Sequence, residues 1–182
     1  MKAPFLIGQA IYLRPLERED APLIVPWLND PEVTHTLAMY HPLTLRAEEE
    51  FIDNAYRKPD GFPLGIVRKD GDQLIGVTGL EHMDFKNLHT SFGLFIGEKH
   101  LWGRGHGTEA TALMVGHAID TLNFNRVWLM VYEYNTRGIR SYEKIGFRQE
   151  GILRQHRYHQ GRYWNTILMA ILREEWNARK PR

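Results

Sequence analysis

Apolar and polar residues alternate in two different rhythms along the chain, and each rhythm predicts one kind of element. Alternation at every second position, rich in β-branched and aromatic residues, is typical of strands. Apolar residues that recur at every third and fourth position are typical of helices. Strands are predicted over residues 11–14, 62–68, 73–81, 90–96, 126–132, 147–153 and 163–172. Helices are predicted over residues 21–28, 44–57, 108–122 and 136–145.

The order of these elements predicts an α/β (α+β) fold with a mixed sheet of about seven strands and about four helices. A tight turn at residues 69–72 favours antiparallel pairing of the two strands beside it. The strand at 126–132 is almost continuously apolar, which indicates a central strand covered on both faces. Hairpins give way to helical crossovers after residue 96, so this point is where we expect a ligand loop.

A glycine-rich loop, WGRGHGTEA at residues 102–110, lies at this point. Glycines 103, 105 and 107 allow positive φ angles and leave N–H groups bare, which favours an anion-binding nest. The helix predicted from Thr108 adds its positive dipole end, so phosphate or pyrophosphate is the simplest ligand. The loop is neither a P-loop nor a dinucleotide fingerprint. No lysine follows Gly107, and Thr108 occupies the place of the third fingerprint glycine.

Composition mainly excludes alternatives. The chain has 182 residues, a net charge of +1 and 43% hydrophobic residues, which predicts one globular domain over residues 1–182. It has no cysteine, which excludes disulfides, thiolate metal sites and a cysteine nucleophile, and we expect no metal cofactor. The absence of a signal peptide and of an apolar run near ~20 residues predicts a cytoplasmic protein without a membrane partner. The small net charge gives no reason to expect nucleic acid.

Two segments resemble the motifs of GNAT-superfamily N-acetyltransferases: the loop at 102–110 and NTRGIRSYEKIGF at 135–147. Residues 11–16 and 97–99 also agree, so the resemblance extends over nearly the whole chain. Within the superfamily the chain resembles the Rim type, the ribosomal-protein N-terminal acetyltransferases. That group also includes spermidine and aminoglycoside acetyltransferases. The resemblance implies the GNAT fold, with acetyl-CoA as co-substrate between the splayed strands 91–96 and 126–132.

The resemblance further implies which residues hold acetyl-CoA. Loop amides would bind the pyrophosphate, backbone groups of the first splayed strand would pair with the pantetheine arm, and a tyrosine would lie near the sulfur. The expected cofactor-binding residues are Phe95, Ile96, Trp102, Arg104, Gly105, His106, Gly107, Thr108, Asn135 and Tyr142. His106 is expected to contribute its backbone, and Asn135 has a second interpretation as a helix-start residue.

Two positions depart from the family pattern. Trp102 stands where the superfamily has glutamine or arginine, a substitution common in the Rim-like group. Ser91 stands two residues before Gly93, where Rim-like relatives often carry a glutamate. A catalytic base therefore cannot be carried over from that position.

Acetyl transfer needs a neutral amine, a polarised carbonyl and a proton for the departing thiolate. Without cysteine, direct attack in a ternary complex is favoured. Tyr142 is the predicted acid, because a phenol donates without bringing charge into the site; Ser141 is the alternative donor. Glu81 is the predicted base, with His82 and His89 as alternatives. Simple packing of the tyrosine and solvation of the strand-end residues are the competing interpretations.

The basic and aromatic segment 154–164 leaves three interpretations open. It could bind nucleic acid by phosphate contacts and stacking, or hold a metal at His156 and His159. We favour a hairpin tip that shapes the acceptor pocket or forms a homodimer contact. The acceptor is also open: protein N-terminus, polyamine, aminoglycoside or free amino acid. A non-catalytic acyl-CoA sensor on the same fold is the alternative function.

Overall fold

One mixed sheet of eight strands runs through the protein in the computed structural model, which describes residues 3–179. The strands are β1 (Leu6–Ile7), β2 (Ile11–Arg14), β3 (Phe62–Arg68), β4 (Gln73–Asp84), β5 (His89–Ile96), β6 (Arg126–Tyr132), β7 (Arg148–His159) and β8 (Arg162–Leu172). The helices are α1 (Ala21–Leu28), α2 (Pro31–Thr34), α3 (Leu45–Ala55), α4 (His106–Gly116), α5 (Thr136–Ile145) and α6 (Arg173–Ala178).

The sheet opens between its two central strands. Its order is β1-β2-β3-β4-β5-β6-β8-β7, and β5 with β6 is the one parallel pair among these neighbours. That pairing ends where Ser91 meets Trp128, so the rest of β5 diverges from β6. The divergence leaves backbone edges free on both strands. The mixed, mostly antiparallel and splayed sheet expected from the sequence is confirmed.

Apolar side chains cover both faces of the sheet. Along β2, Ile11 and Leu13 belong to one buried cluster together with Met114 of α4. Tyr12 belongs to a second cluster, with Ile24 of α1 and neighbours on α3. Because successive strand residues point to opposite faces, α4 lies on one face and α1 with α3 on the other. Each fully buried apolar side chain stabilises the fold by about 1.5–3 kcal/mol.

Several helix ends follow the signals in the sequence. The Thr44 hydroxyl accepts a hydrogen bond from the Ala47 N–H at 3.2 Å and caps α3. Gly146 ends α5 with φ 109°, a left-handed conformation that favours glycine. Three short elements, β1, α2 and α6, were missed. The start of α2 did carry a signal, because Asp30 caps it and Pro31 is its first residue.

Several predicted bounds were wrong, among them the end of β4, which lies at Asp84 and not at residue 81. α4 begins at His106 and not at Thr108, because Gly105 (φ 89°) already occupies the N-cap. Gly107 therefore lies inside the helix, and only Gly103 and Gly105 of the three loop glycines have positive φ. β7 continues to His159, past the predicted end at residue 153. Within residues 3–179, no helix is both long and apolar enough to cross a bilayer.

Candidate active site

The first turn of α4 is the candidate anion-binding part of the site. Its first intrahelical hydrogen bond runs from the Glu109 N–H to the Gly105 carbonyl at 3.0 Å. The N–H groups of residues 106–108 precede that bond and, together with the helix dipole, favour a negatively charged ligand. The loop thus acts through a helix start with two left-handed glycines, and not through three alternating ones.

A cavity of about 320 Å³ lies in the opening between β5, the loop and α5. Its walls include nine of the ten residues that the sequence assigned to the cofactor: Phe95, Ile96, Trp102, Gly105, His106, Gly107, Thr108, Asn135 and Tyr142. The exception is Arg104, which does not line the cavity and whose Nε donates to the His100 carbonyl at 3.2 Å. The fold therefore brings the predicted cofactor residues together around one space.

Three cations in the same cavity were missed. Arg137, Arg140 and Lys144 of α5 line it, and their spacing of three and four residues places them on one helix face. The spacing of these three cations is visible in the sequence, but it was not recognised as a binding signal. Within the described part of the chain these three are the lysines and arginines of the cavity wall. They give it the positive charge that an acyl-CoA, with its phosphates, requires.

Trp102 joins two walls of this cavity. Its indole N–H donates to the Ile96 carbonyl at 2.8 Å, and the Arg137 guanidinium carbon lies 4.2 Å from its ring centroid. A tryptophan at this position therefore ties the end of β5 to α5 through a hydrogen bond and a cation–π contact. Where the family has glutamine or arginine, this chain has a tryptophan whose ring and N–H connect β5 with α5.

Two polar contacts hold α5 in place beside the loop. The Asn135 side chain accepts from the Gly138 N–H at 3.0 Å, so it caps α5 while also lining the cavity. The Ser141 hydroxyl lies 2.8 Å from the Thr108 hydroxyl of α4. Either hydroxyl can be the donor, so the contact ties α5 to α4 and leaves Ser141 as the alternative proton donor.

Tyr142 lines the cavity, and its ring is partly buried against the core. The ring packs edge-on against Phe92, with centroids 6.3 Å apart, and against Phe147 at 5.9 Å. Burial raises the pKa of Tyr142 to about 12. Among residues 3–179, no hydrogen-bond partner of its hydroxyl is found. The hydroxyl is consequently protonated at any working pH and free to donate to a ligand.

A second, larger cavity of about 780 Å³ adjoins the first, and the two share Leu94 and Phe95 of β5. Four carboxylates line it: Glu48, Glu50, Asp60 and Glu81. Lys58 is the one lysine or arginine among its described lining residues. The cavity is therefore electronegative, the reverse of its neighbour. Phe51 forms part of its wall, whereas Trp27 is buried in the core against Phe95.

The three candidate bases differ in placement. Glu81 and His82 line the larger cavity, whereas His89 does not and lies 3.6 Å from Asp84. The Ser91 hydroxyl donates to the Glu81 carbonyl at 3.0 Å and lies 3.0 Å from Nδ1 of His82. Since that hydroxyl has one proton, it accepts from Nδ1–H and leaves Nε2 of His82 as an acceptor.

The hairpin of β7 and β8 braces a loop that borders the larger cavity. Arg157 is buried, with its guanidinium carbon 4.7 Å from the ring centroids of both Tyr40 and Tyr132, and it donates to the Leu37 carbonyl. His159 lies 2.8 Å from His35. Arg157 and His159 are therefore engaged within the fold, whereas Tyr158 and Tyr163 of the same segment are 60% and 63% exposed. No group of three metal-ligating side chains occurs within residues 3–179.

Comparison with known proteins identifies the family. Residues 10–148 match the acetyltransferase (GNAT) domain, and the protein belongs to this family. It is an acetyl-CoA-dependent N-acetyltransferase, as the resemblance implied.

The similarity to known relatives extends over almost the full length of the chain. The chain is 28% identical to the uncharacterized N-acetyltransferase p20 of Bacillus licheniformis, over 94% of this chain and 97% of that protein. It is 26% identical to a spermidine N(1)-acetyltransferase of Escherichia coli, over 94% and 90%. A crystal structure of spermidine N-acetyltransferase from Vibrio cholerae, in complex with CoA and spermine, has a TM-score of 0.85 at 22% identity, covering 93% and 99%. The last likeness concerns the fold alone.

Proposed function

We propose that the protein acetylates a primary amine of a small polycationic acceptor, a polyamine such as spermidine. The observation that carries this proposal is the acidic cavity, with four carboxylates and one lysine, which meets the cofactor cavity at Leu94 and Phe95. A polycation is the acceptor that such a lining attracts, whereas an amino acid would bring a repelled carboxylate. The spermidine acetyltransferase among the relatives supports the same choice.

In the proposed reaction the acceptor nitrogen attacks the thioester carbonyl carbon directly. The N–C bond forms, negative charge develops on the carbonyl oxygen, and the C–S bond then breaks. Bound acetyl-CoA would lie with its phosphates on the amides of residues 106–108 and near the basic face of α5. Tyr142 would donate to the sulfur as it leaves, with Ser141 as the alternative donor.

The proton of the attacking amine goes to Glu81 in this proposal. In the β4–β5 register Thr78 is opposite Leu94 and Glu81 is opposite Ser91. Glu81 thus lies three residues beyond the junction of the cavities, about 10 Å along the strand. This distance favours transfer through water over direct contact. His82 is the competing acceptor, with Nε2 available, and substitution separates the two.

The test is an acetylation panel with the purified enzyme. Acetyl-CoA is mixed in turn with spermidine, spermine, an aminoglycoside, amino acids and a peptide with a free N-terminus, and thiol release and product mass are measured. We expect the highest kcat/KM for the polyamines. Turnover of the peptide alone would instead support the Rim-type prediction. Binding of acetyl-CoA without turnover of any amine would favour the sensor alternative. This panel does not address the organisation of the chain as one domain or as a homodimer, and both stay predictions.

A further inference from the structure

Glu48 occupies a position where the pattern of α3 calls for an apolar residue. Glu48, Ile52 and Ala55 are the buried residues of this helix, spaced by four and three, and so lie on one face. Ile52 belongs to the apolar cluster beneath the helix. Glu48 is only 5% exposed, yet it lines the acidic cavity. Ionised side chains are almost never buried in this way unless they are paired.

The other acidic side chains on the body of α3 all have cationic partners. Glu49 and Asp53 both pair with Arg18, at 2.6 and 2.5 Å, and Glu50 pairs with Arg46 at 2.8 Å. For the Glu48 carboxylate, no hydrogen bond or ion pair is found among residues 3–179. Burial accordingly raises its pKa. A buried carboxylate without a partner destabilises the folded state. A cationic ligand that binds it from the open cavity removes this destabilisation.

We infer that Glu48 binds the ammonium group of the acceptor that does not react, and so selects diamines and longer polyamines over monoamines. This inference rests on the proposed function. An ion pair stabilises the charged form of an amine, which opposes attack by the reacting nitrogen but suits a remote one. The charged or titratable groups that share the cavity are Glu50, Lys58, Asp60, Glu81 and His82. Of the four carboxylates that line the cavity, Glu48 is the buried one.

The kinetic test compares two amines of equal chain length, 1,4-diaminobutane and butylamine, in the wild type and in Glu48→Gln. The substitution should raise KM for the diamine about 10- to 100-fold, since a charge-assisted hydrogen bond is lost. It should leave kcat nearly unchanged for both amines and raise KM much less for the monoamine than for the diamine. Glu49→Gln is the matched control, an adjacent carboxylate outside the cavity, and should behave as wild type.

Two kinetic outcomes overturn the inference. An unchanged diamine KM in Glu48→Gln would remove Glu48 from acceptor binding. An equal fall of kcat for both amines, with loss of the acidic limb of the pH–rate profile, would make Glu48 a base and not a selecting residue.

Thermal melts separate this inference from the proposed function and also check folding. Without ligand at pH 8, Glu48→Gln and Glu48→Met should melt above wild type, because a carboxyl with a raised pKa destabilises the folded state once ionised. 1,4-Diaminobutane should raise the melting temperature of the wild type and of Glu49→Gln, but not of the two Glu48 variants. If this pattern holds and no polyamine is acetylated, the proposed function fails and acceptor selection fails with it, while the ammonium site at Glu48 is retained. If the diamine neither stabilises nor reacts with the wild type, both fail.

Discussion

Replacement of Tyr142 by phenylalanine removes one hydroxyl from the cofactor cavity and keeps the ring that packs against Phe92 and Phe147. The pKa of about 12 limits what that hydroxyl can do. A thiol such as cysteine has a pKa near 8.5, so complete transfer of the phenolic proton to a thiolate is uphill by about 5 kcal/mol. A hydrogen bond to the developing negative charge on sulfur requires no such transfer. Hydrogen bonds to charged groups contribute about 1.5–3 kcal/mol.

This range predicts a fall in kcat of about 10- to 150-fold for Tyr142→Phe. A fall near 1000-fold would indicate proton transfer within the transition state, as general acid catalysis requires. Affinity for acetyl-CoA and the melting temperature should change little. The assay is thiol release under single-turnover conditions, which has no protein background because the chain lacks cysteine. Tyr132→Phe is the control: the pKa of Tyr132 is also raised to about 12, but it does not line the cavity. Wild-type turnover by Tyr142→Phe, with chemistry rate-limiting, would refute the assignment.

Three further predictions test other parts of the site and fold. Gly105→Val should weaken acetyl-CoA binding about tenfold or more by calorimetry, because φ 89° is strained for a β-branched residue; unchanged affinity in a folded variant would remove the loop from the site. Glu81→Gln should lower kcat and abolish the acidic limb of the pH–rate profile, and a profile changed only by His82→Gln would transfer the base role to that imidazole. Burial lowers the pKa of His117, so the wild type should lose stability as pH falls below about 6.5, where the unfolded state takes up the proton. His117→Phe should melt with a smaller loss over that range, and an identical loss would contradict the assignment.

The periodic pattern was sufficient for the elements of the sheet. All seven predicted strands exist, because burial of one face gives alternation and burial of both faces gives a continuous apolar run, and both patterns are visible in one sequence. The two-residue β1 and the four-residue α2 were missed since elements that short show no period. The early end predicted for β7 has another cause. Its pairing with β8 shifts register between Leu153 and Arg157, and this irregularity interrupts the alternation along the strand.

Some residues that line the candidate site were predicted from the sequence and others were missed, because a sequence motif records only local conformation. Backbone devices such as Gly105 and Asn135 act through local conformation, so their sequence neighbourhood reveals them. Arg104 was placed in the cofactor wall by adjacency along the chain, but the loop turns its side chain back toward the carbonyl of residue 100. Glu48 was missed for the opposite reason. Its proximity to the cavity depends on how α3 packs on the sheet, which no local pattern records.

Under the proposed function, the two cavities compensate for the absence of a glutamate at position 91. The cofactor side is lined by Arg137, Arg140 and Lys144, whereas the acceptor side holds four carboxylates. The proposal therefore places anionic acetyl-CoA and a cationic acceptor on opposite sides of Leu94 and Phe95, where the uncharged thioester and amine would meet. Since the serine hydroxyl carries no charge and is bonded to the Glu81 carbonyl, the negative charge on the acceptor side comes from other elements, α3 among them. A carboxylate on that helix can attract a substrate ammonium without adding charge at the reacting carbonyl, where it would oppose the developing oxyanion.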